Sequence, residues 1–74
     1  MEKIRLTRHA QRRMKWRKTS LEEVKETLTY PNKREKLPNG KVNAFKSIGV
    51  KLIRVTYLEK KSRMIVISVV DKNR

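Results

Sequence analysis

The sequence predicts an α+β fold: a short N-terminal strand, two helices, and a four-stranded antiparallel sheet on which the helices pack. Three observations carry this expectation. The tetrapeptide Ser20-Leu21-Glu22-Glu23 is a capping box, and it opens a segment with apolar residues at Leu21, Val24 and Leu28. After Pro31 the apolar spacing turns from helical to strand-like. Two turn signals, Pro38-Asn39-Gly40-Lys41 and Gly49, divide that second half into strands. Helices gathered in one half and strands in the other give α+β, with both helices on one sheet face.

Each element has its own signal. Residues 3–6 alternate charge with Ile4 and Leu6 and read as a short edge strand. Thr7 follows as an N-cap, its hydroxyl placed to accept from an early backbone N–H of a helix running to about Arg17. In the second helix Ser20 and Glu23 satisfy each other's amides, Glu22 and Glu23 suit the positive end of the helix dipole, and Pro31 ends the helix. Asn39 and Gly40, both tolerant of positive φ, join residues 34–37 to 42–45 as a hairpin. Residues 50–58 form a long strand rich in β-branched side chains, and the charged run from Glu59 to Arg63 reads as a loop. Residues 64–70 close the sheet as a central strand, apolar on both faces, and a frayed tail is expected after Asp71.

Length and charge bound the function. Seventy-four residues make one domain, 1–74, with a modest core. Without cysteine there is neither a disulfide nor a thiolate zinc site, and His9 is the single histidine and Asp71 the single aspartate. Paired-carboxylate, two-metal and transition-metal chemistry therefore lack their residues, and no metal or cofactor is expected. No signal-peptide core and no membrane-length apolar run is present, which fits a soluble, cytoplasmic protein with no membrane partner. Lys and Arg number 21 against 7 Asp and Glu, a net charge of +14. Such an excess repels itself unless a polyanion offsets it, so nucleic acid is the favoured partner class.

The cations concentrate in the first helix. His9, Arg13 and Arg17 lie one turn apart, with Arg8, Arg12 and Lys15 filling much of the remaining surface. Guanidinium groups give bidentate hydrogen bonds to phosphate, and an imidazole among them can move a proton. Arg8, Arg12, Arg13, Lys15 and Arg17, with Lys51 and Arg54 from a later strand, form the candidate nucleic-acid-binding set. A plainer alternative pairs Arg13 and Arg17 with Glu22, Glu23 or Glu26 of the second helix and leaves His9 a partly buried polar residue. Trp16 falls on the opposite flank; the phosphate-gripping reading has it stack on an exposed base while the arginines follow the backbone, and the favoured expectation places it in the core.

The run His9-Ala10-Gln11-Arg12-Arg13-Met14-Lys15-Trp16-Arg17 resembles His-Ala-x-x-Arg-Met-x-x-Arg, the opening signature of a small domain-of-unknown-function family. Ser20-Leu21-Glu22-Glu23-Val24, Pro31, Asn39-Gly40 and Ile67-Ser68-Val69 resemble its later parts, whereas Lys18-Thr19 stands where that family has Gly-Ile, and Ser68 where it has Thr. The family's layout is similar to that of RelE/ParE-type and BrnT-type toxins. That resemblance implies an RNA partner favoured over DNA, a metal-independent ribonuclease activity, and a small acidic antitoxin-like protein as an alternative partner. A phosphoryl-cleaving site of this kind needs a base, an acid and cations on the phosphorane. His9 is then base or acid, Arg13 and Arg17 are clamps, and Tyr57 or Ser68 is a hydrogen-bonding helper, making His9, Arg13, Tyr57 and Ser68 the candidate catalytic set. Tyr57 as a half-buried aromatic and Ser68 as a satisfied core hydroxyl are equally open readings, as is homodimerisation through the exposed sheet face or an edge strand.

Overall fold

In the computed structural model, which describes residues 3–60 and 63–71, the Thr7 hydroxyl accepts from the Ala10 N–H at 3.1 Å and so opens helix α1 (Arg8–Arg17). The same hydroxyl donates to the Ile67 carbonyl at 3.2 Å, which pins the start of the helix to the sheet. α1 ends at Lys18, whose N–H reaches the Met14 carbonyl in a left-handed conformation with φ 55°. Two residues later the capping box is complete: Glu23 N–H donates to Ser20 Oγ at 3.1 Å, and Ser20 N–H to Glu23 Oε1 at 2.9 Å. It opens α2 (Leu21–Thr29), and Tyr30, just before Pro31, is the C-cap.

The buried stripe of α2 differs from the expected one. Val24, Thr27 and Leu28 are buried, while Leu21 in the first turn is 43% exposed. Spacing of three and four residues keeps Val24, Thr27 and Leu28 on one narrow face. Thr27 is accepted there because its hydroxyl donates to the Glu23 carbonyl at 2.8 Å and so is paired despite its burial.

The strands are β1 (Lys3–Leu6), β2 (Lys33–Lys36), β3 (Lys41–Ile48), β4 (Lys51–Lys60) and β5 (Arg63–Asp71). β2 to β5 form the expected antiparallel meander, but β1 adds to it alongside β5, so the sheet is five-stranded and mixed, in the order β1-β5-β4-β3-β2. The expectation of a four-stranded antiparallel sheet is corrected by this one parallel pair. A parallel neighbour requires a long return path, and here everything between β1 and β5 supplies it.

Turns and strand ends also depart in detail. Gly40 alone takes positive φ (77°) in the first hairpin, and Asn39 does not, because Leu37 N–H closes onto the Lys41 carbonyl across a three-residue connection. Gly49 (φ 61°) leads a two-residue connection, Gly49-Val50, between the paired residues Ile48 and Lys51. Glu59, Lys60 and Arg63, expected in a loop, belong to β4 and β5, with Lys60 opposite Arg63. Exposed charged residues extend a hairpin at little cost where the strands project beyond the core. Lys61, Ser62 and the tail expected to fray after Asp71 lie outside the described residues.

Strand alternation separates two faces. Ile53, Val55 and Tyr57 of β4, with Val66 and Val69 of β5 and Ala44 of β3, meet Ala10, Val24 and Leu28 from the helices. A bulge at Ile67 lets this hold: Thr56 pairs with Ser68 and Tyr57 with Val66, so Val66 and Val69 both face the helices despite odd spacing. Leu52, Arg54, Thr56 and Leu58 alternate with the core residues and point to the face that neither helix covers. Neither helix is long and apolar enough to cross a membrane.

Candidate nucleic-acid interface

α1 carries no Asp or Glu, and Arg8, Arg12 and Lys15 stand exposed along its outward surface with His9, Gln11 and Trp16. His9, Arg12, Arg13 and Trp16 follow the i, i+3, i+4, i+7 spacing of one helical stripe and, with Lys15, line a groove of about 630 Å³. Trp16 is 78% exposed, which corrects the expectation of a core tryptophan. At about 100° per residue Trp16 sits roughly 20° from His9 and roughly 120° from Ala10. Ala10 is fully buried, so Trp16 must face away from the sheet, beside His9 rather than across the helix from it. The angle from Ala10 was the signal in the sequence. Arg13 is half-buried at the rim of this groove, Arg8, Arg12 and Lys15 are exposed, and Arg17 is the last residue of the helix.

Two acids of α2 pair with strand lysines, and the side chain of Arg17 lies outside the described residues. Glu23 Oε1 lies 3.2 Å from Lys51 Nζ, and Glu26 Oε2 lies 3.7 Å from Lys46 Nζ. No ion pair joins Arg13 to α2 among the described residues. The alternative pairing of Arg13 with Glu23 or Glu26 is therefore taken by strand lysines, which reach these acids from the sheet face beneath.

Basic side chains on the covered face share a second task. Lys46 Nζ donates to the Tyr30 carbonyl at 2.8 Å and Arg34 Nη2 to the Leu28 carbonyl at 3.3 Å, both at the C-terminal end of α2. Lys51 Nζ donates to the Lys18 carbonyl at 2.9 Å, just past the end of α1. These cations sit where the last carbonyls of a helix concentrate negative charge. The Ser20 N–H, and after it Lys51, holds the Glu23 carboxyl below its ordinary 4.5, against the opposing effect of burial. Lys51, a candidate phosphate ligand, thus serves as a strut between both helices and β4.

The four candidate catalytic residues occupy three places. His9 and Arg13 lie on α1, Tyr57 is 1% exposed within the core, and Ser68 pairs with Thr56 on the helix-free side of the sheet. The sheet stands between Ser68 and His9. Arg54, the remaining candidate, shares the helix-free face with Ser68, opposite Phe45 on one side and Val70 on the other.

The chain matches no protein-family model, no curated protein and no solved structure.

Proposed function

We propose that this chain is a cytoplasmic nucleic-acid-binding protein whose α1 surface holds a strand of RNA. The observation that carries the reading is Trp16, a large aromatic standing 78% exposed in a groove otherwise lined by His9 and cations. Leaving an indole in water forgoes about 1.5–3 kcal/mol of burial, so its position is better explained by a partner than by folding. Arg12, Arg13 and Lys15 grip phosphate beside it, and a base stacks on the ring, an arrangement tolerant of sequence. Single strands are preferred over duplexes because unpaired bases present their flat faces, and RNA is favoured as the nucleic acid that is ordinarily recognised in unpaired form. The similarity to a RelE/ParE-type layout, with a strand and two helices ahead of the antiparallel strands, supports the same class. With Tyr57 buried and Ser68 across the sheet from His9, the reading stops at binding and does not extend to cleavage.

Trp16 is the single tryptophan, so its fluorescence reports this surface directly. Titration with a 12-nucleotide single-stranded RNA should quench it. Trp16→Ala, followed by the anisotropy of a labelled RNA, should weaken binding about 5- to 150-fold, equivalent to about 1–3 kcal/mol of stacking. Binding that proceeds without quenching, or a Trp16→Ala protein with unaltered affinity, would refute the α1 surface as the site. A tight complex with an acidic protein that covers Trp16, in a chain with no affinity for RNA, would replace the reading with the antitoxin-like one.

A further inference from the structure

The helix-free face of the sheet is ordered in rows. Pairing register and strand alternation place Lys33, Phe45, Arg54 and Val70 side by side across four strands. Two residues along β4 runs the polar row Glu35, Asn43, Thr56 and Ser68, in which Thr56 Oγ1 donates to Asn43 Oδ1 at 2.6 Å. Two residues further come Lys41, Leu58, Ile65 and Arg5. Apolar side chains thus belong to the first and third rows, Phe45 and Val70 in one and Leu58 and Ile65 in the other, each with a cation at one end or both, and successive rows lie about 7 Å apart.

The charge of this face contrasts with that of the other. On the covered side Arg34, Lys46 and Lys51 each donate to a carbonyl at the end of a helix or its C-cap, the two lysines also pair with a glutamate, and Lys36 stands exposed at the outer edge. On the helix-free side stand Arg5, Lys33, Lys41, Arg54, Lys60 and Arg63, against Glu35 as the acid. None of these six makes an ion pair among the described residues. Lys33 lies 6.0 Å from the centre of the Phe45 ring, and Arg54 Nε is buried with no hydrogen-bond partner. Holding six like charges over an apolar surface is unfavourable unless a polyanion meets them. A second copy of the chain would bring an equal set of charges against the first, which rules against self-association through this face.

We propose that the helix-free sheet face is a second site, separate from the α1 groove, that takes a single-stranded nucleic acid with bases on Phe45 and the Arg54 guanidinium and phosphates along the cationic margin. This rests on the nucleic-acid reading above and adds to it the substrate class. Half-buried apolar side chains on a nearly flat surface recognise the face of a base, and a duplex keeps its base faces stacked inside. The polar row between the two apolar ones offers hydroxyl and amide groups to base edges. Because the sheet lies between the two sites, two strands are held at once, each by its own site.

The test uses the full chain and a fluorescein-labelled 12-mer of uridine, with anisotropy and Trp16 quenching read in the same titration, and a hairpin duplex of matched length alongside. Arg5, Lys33 and Arg63 are exposed, so the triple variant Arg5→Gln/Lys33→Gln/Arg63→Gln should keep its melting curve. Its anisotropy should lose about 2 from the salt-dependence slope, at about 0.7 per phosphate contact on a single strand. Trp16 quenching should persist with its wild-type midpoint. Phe45→Leu should weaken single-strand binding at least about 5-fold and leave duplex binding unchanged. An unchanged slope in the triple variant, with quenching intact, overturns the sheet site and spares the α1 site. A wild-type chain that neither raises anisotropy nor loses fluorescence overturns both, and a wild-type dimer that the triple variant dissolves shows the face to be a self-contact instead.

Discussion

Replacing Glu23 removes two supports at one point. Its carboxylate accepts from Ser20 N–H at 2.9 Å, as half of the capping box, and sits 3.2 Å from Lys51 Nζ. The capping bond to a charged acceptor in a partly exposed place stabilises by about 1 kcal/mol. The ion pair, with side chains 21% and 28% exposed, adds about 0.5 kcal/mol after solvent screening. Glu23→Ala should then cost about 1.5 kcal/mol and lower Tm by about 6–12 °C, at about 4–8 °C per kcal/mol in a domain of this size. Glu23→Gln retains an acceptor for Ser20 and should lose only the pair, about 2–4 °C. The carboxyl is held below its ordinary 4.5 in the folded state, so its stabilisation is complete above that pH and disappears as the pH falls through the lowered folded value. The gap between wild type and Glu23→Gln should therefore be full at pH 7 and close in strong acid. Circular dichroism melts at pH 7 and pH 3 measure all of this. Equal melting temperatures for Glu23→Ala and Glu23→Gln would refute the capping assignment, and a gap that widens in acid would refute the electrostatic one.

Lys18→Gly should raise stability by about 0.5–1 kcal/mol in the same melts, because Lys18 holds φ 55° where glycine meets no Cβ penalty. Thr7→Val removes both the Ala10 cap and the bond to the Ile67 carbonyl, and denaturant titration should show a loss of about 1–2 kcal/mol. Gly49→Ala should cost about 1 kcal/mol by the same measurement, since space around Gly49 is open but its φ of 61° is not suited to alanine. Trp16→Ala, by contrast, should shift unfolding free energy by less than about 0.5 kcal/mol while it impairs RNA binding.

What was legible in the sequence was local. Thr7, the Ser20–Glu23 box and Pro31 each act within four residues, and each ended or began a helix where expected. The meander followed from Gly40 and Gly49 in the same way. β1 was recognisable as an edge strand, but its neighbour lies some sixty residues away, and no short-range pattern names β5. Lys51 illustrates the same limit at the site: its strand was evident, while its carboxylate partner is 28 positions distant, so it read as a free cation. The exposed cations of α1 were plain from composition, because no acid lies within that helix. Trp16 was misjudged through the prior that large aromatics are buried, when its angle from Ala10 already placed it outside.

The bond from the Thr7 hydroxyl to the Ile67 carbonyl spans 60 residues, and β1 pairs only with β5. During vectorial synthesis at about 5–20 residues per second, the opening strand therefore waits roughly 3–12 s for a neighbour. The hairpins of β2, β3 and β4 join strands that are neighbours in sequence and need no such wait, whereas β5 has β4 on one side and β1 on the other. Until β5 is in place, α1 lacks the carbonyl that anchors its first turn, so the cationic helix is the last element to be fixed to the sheet.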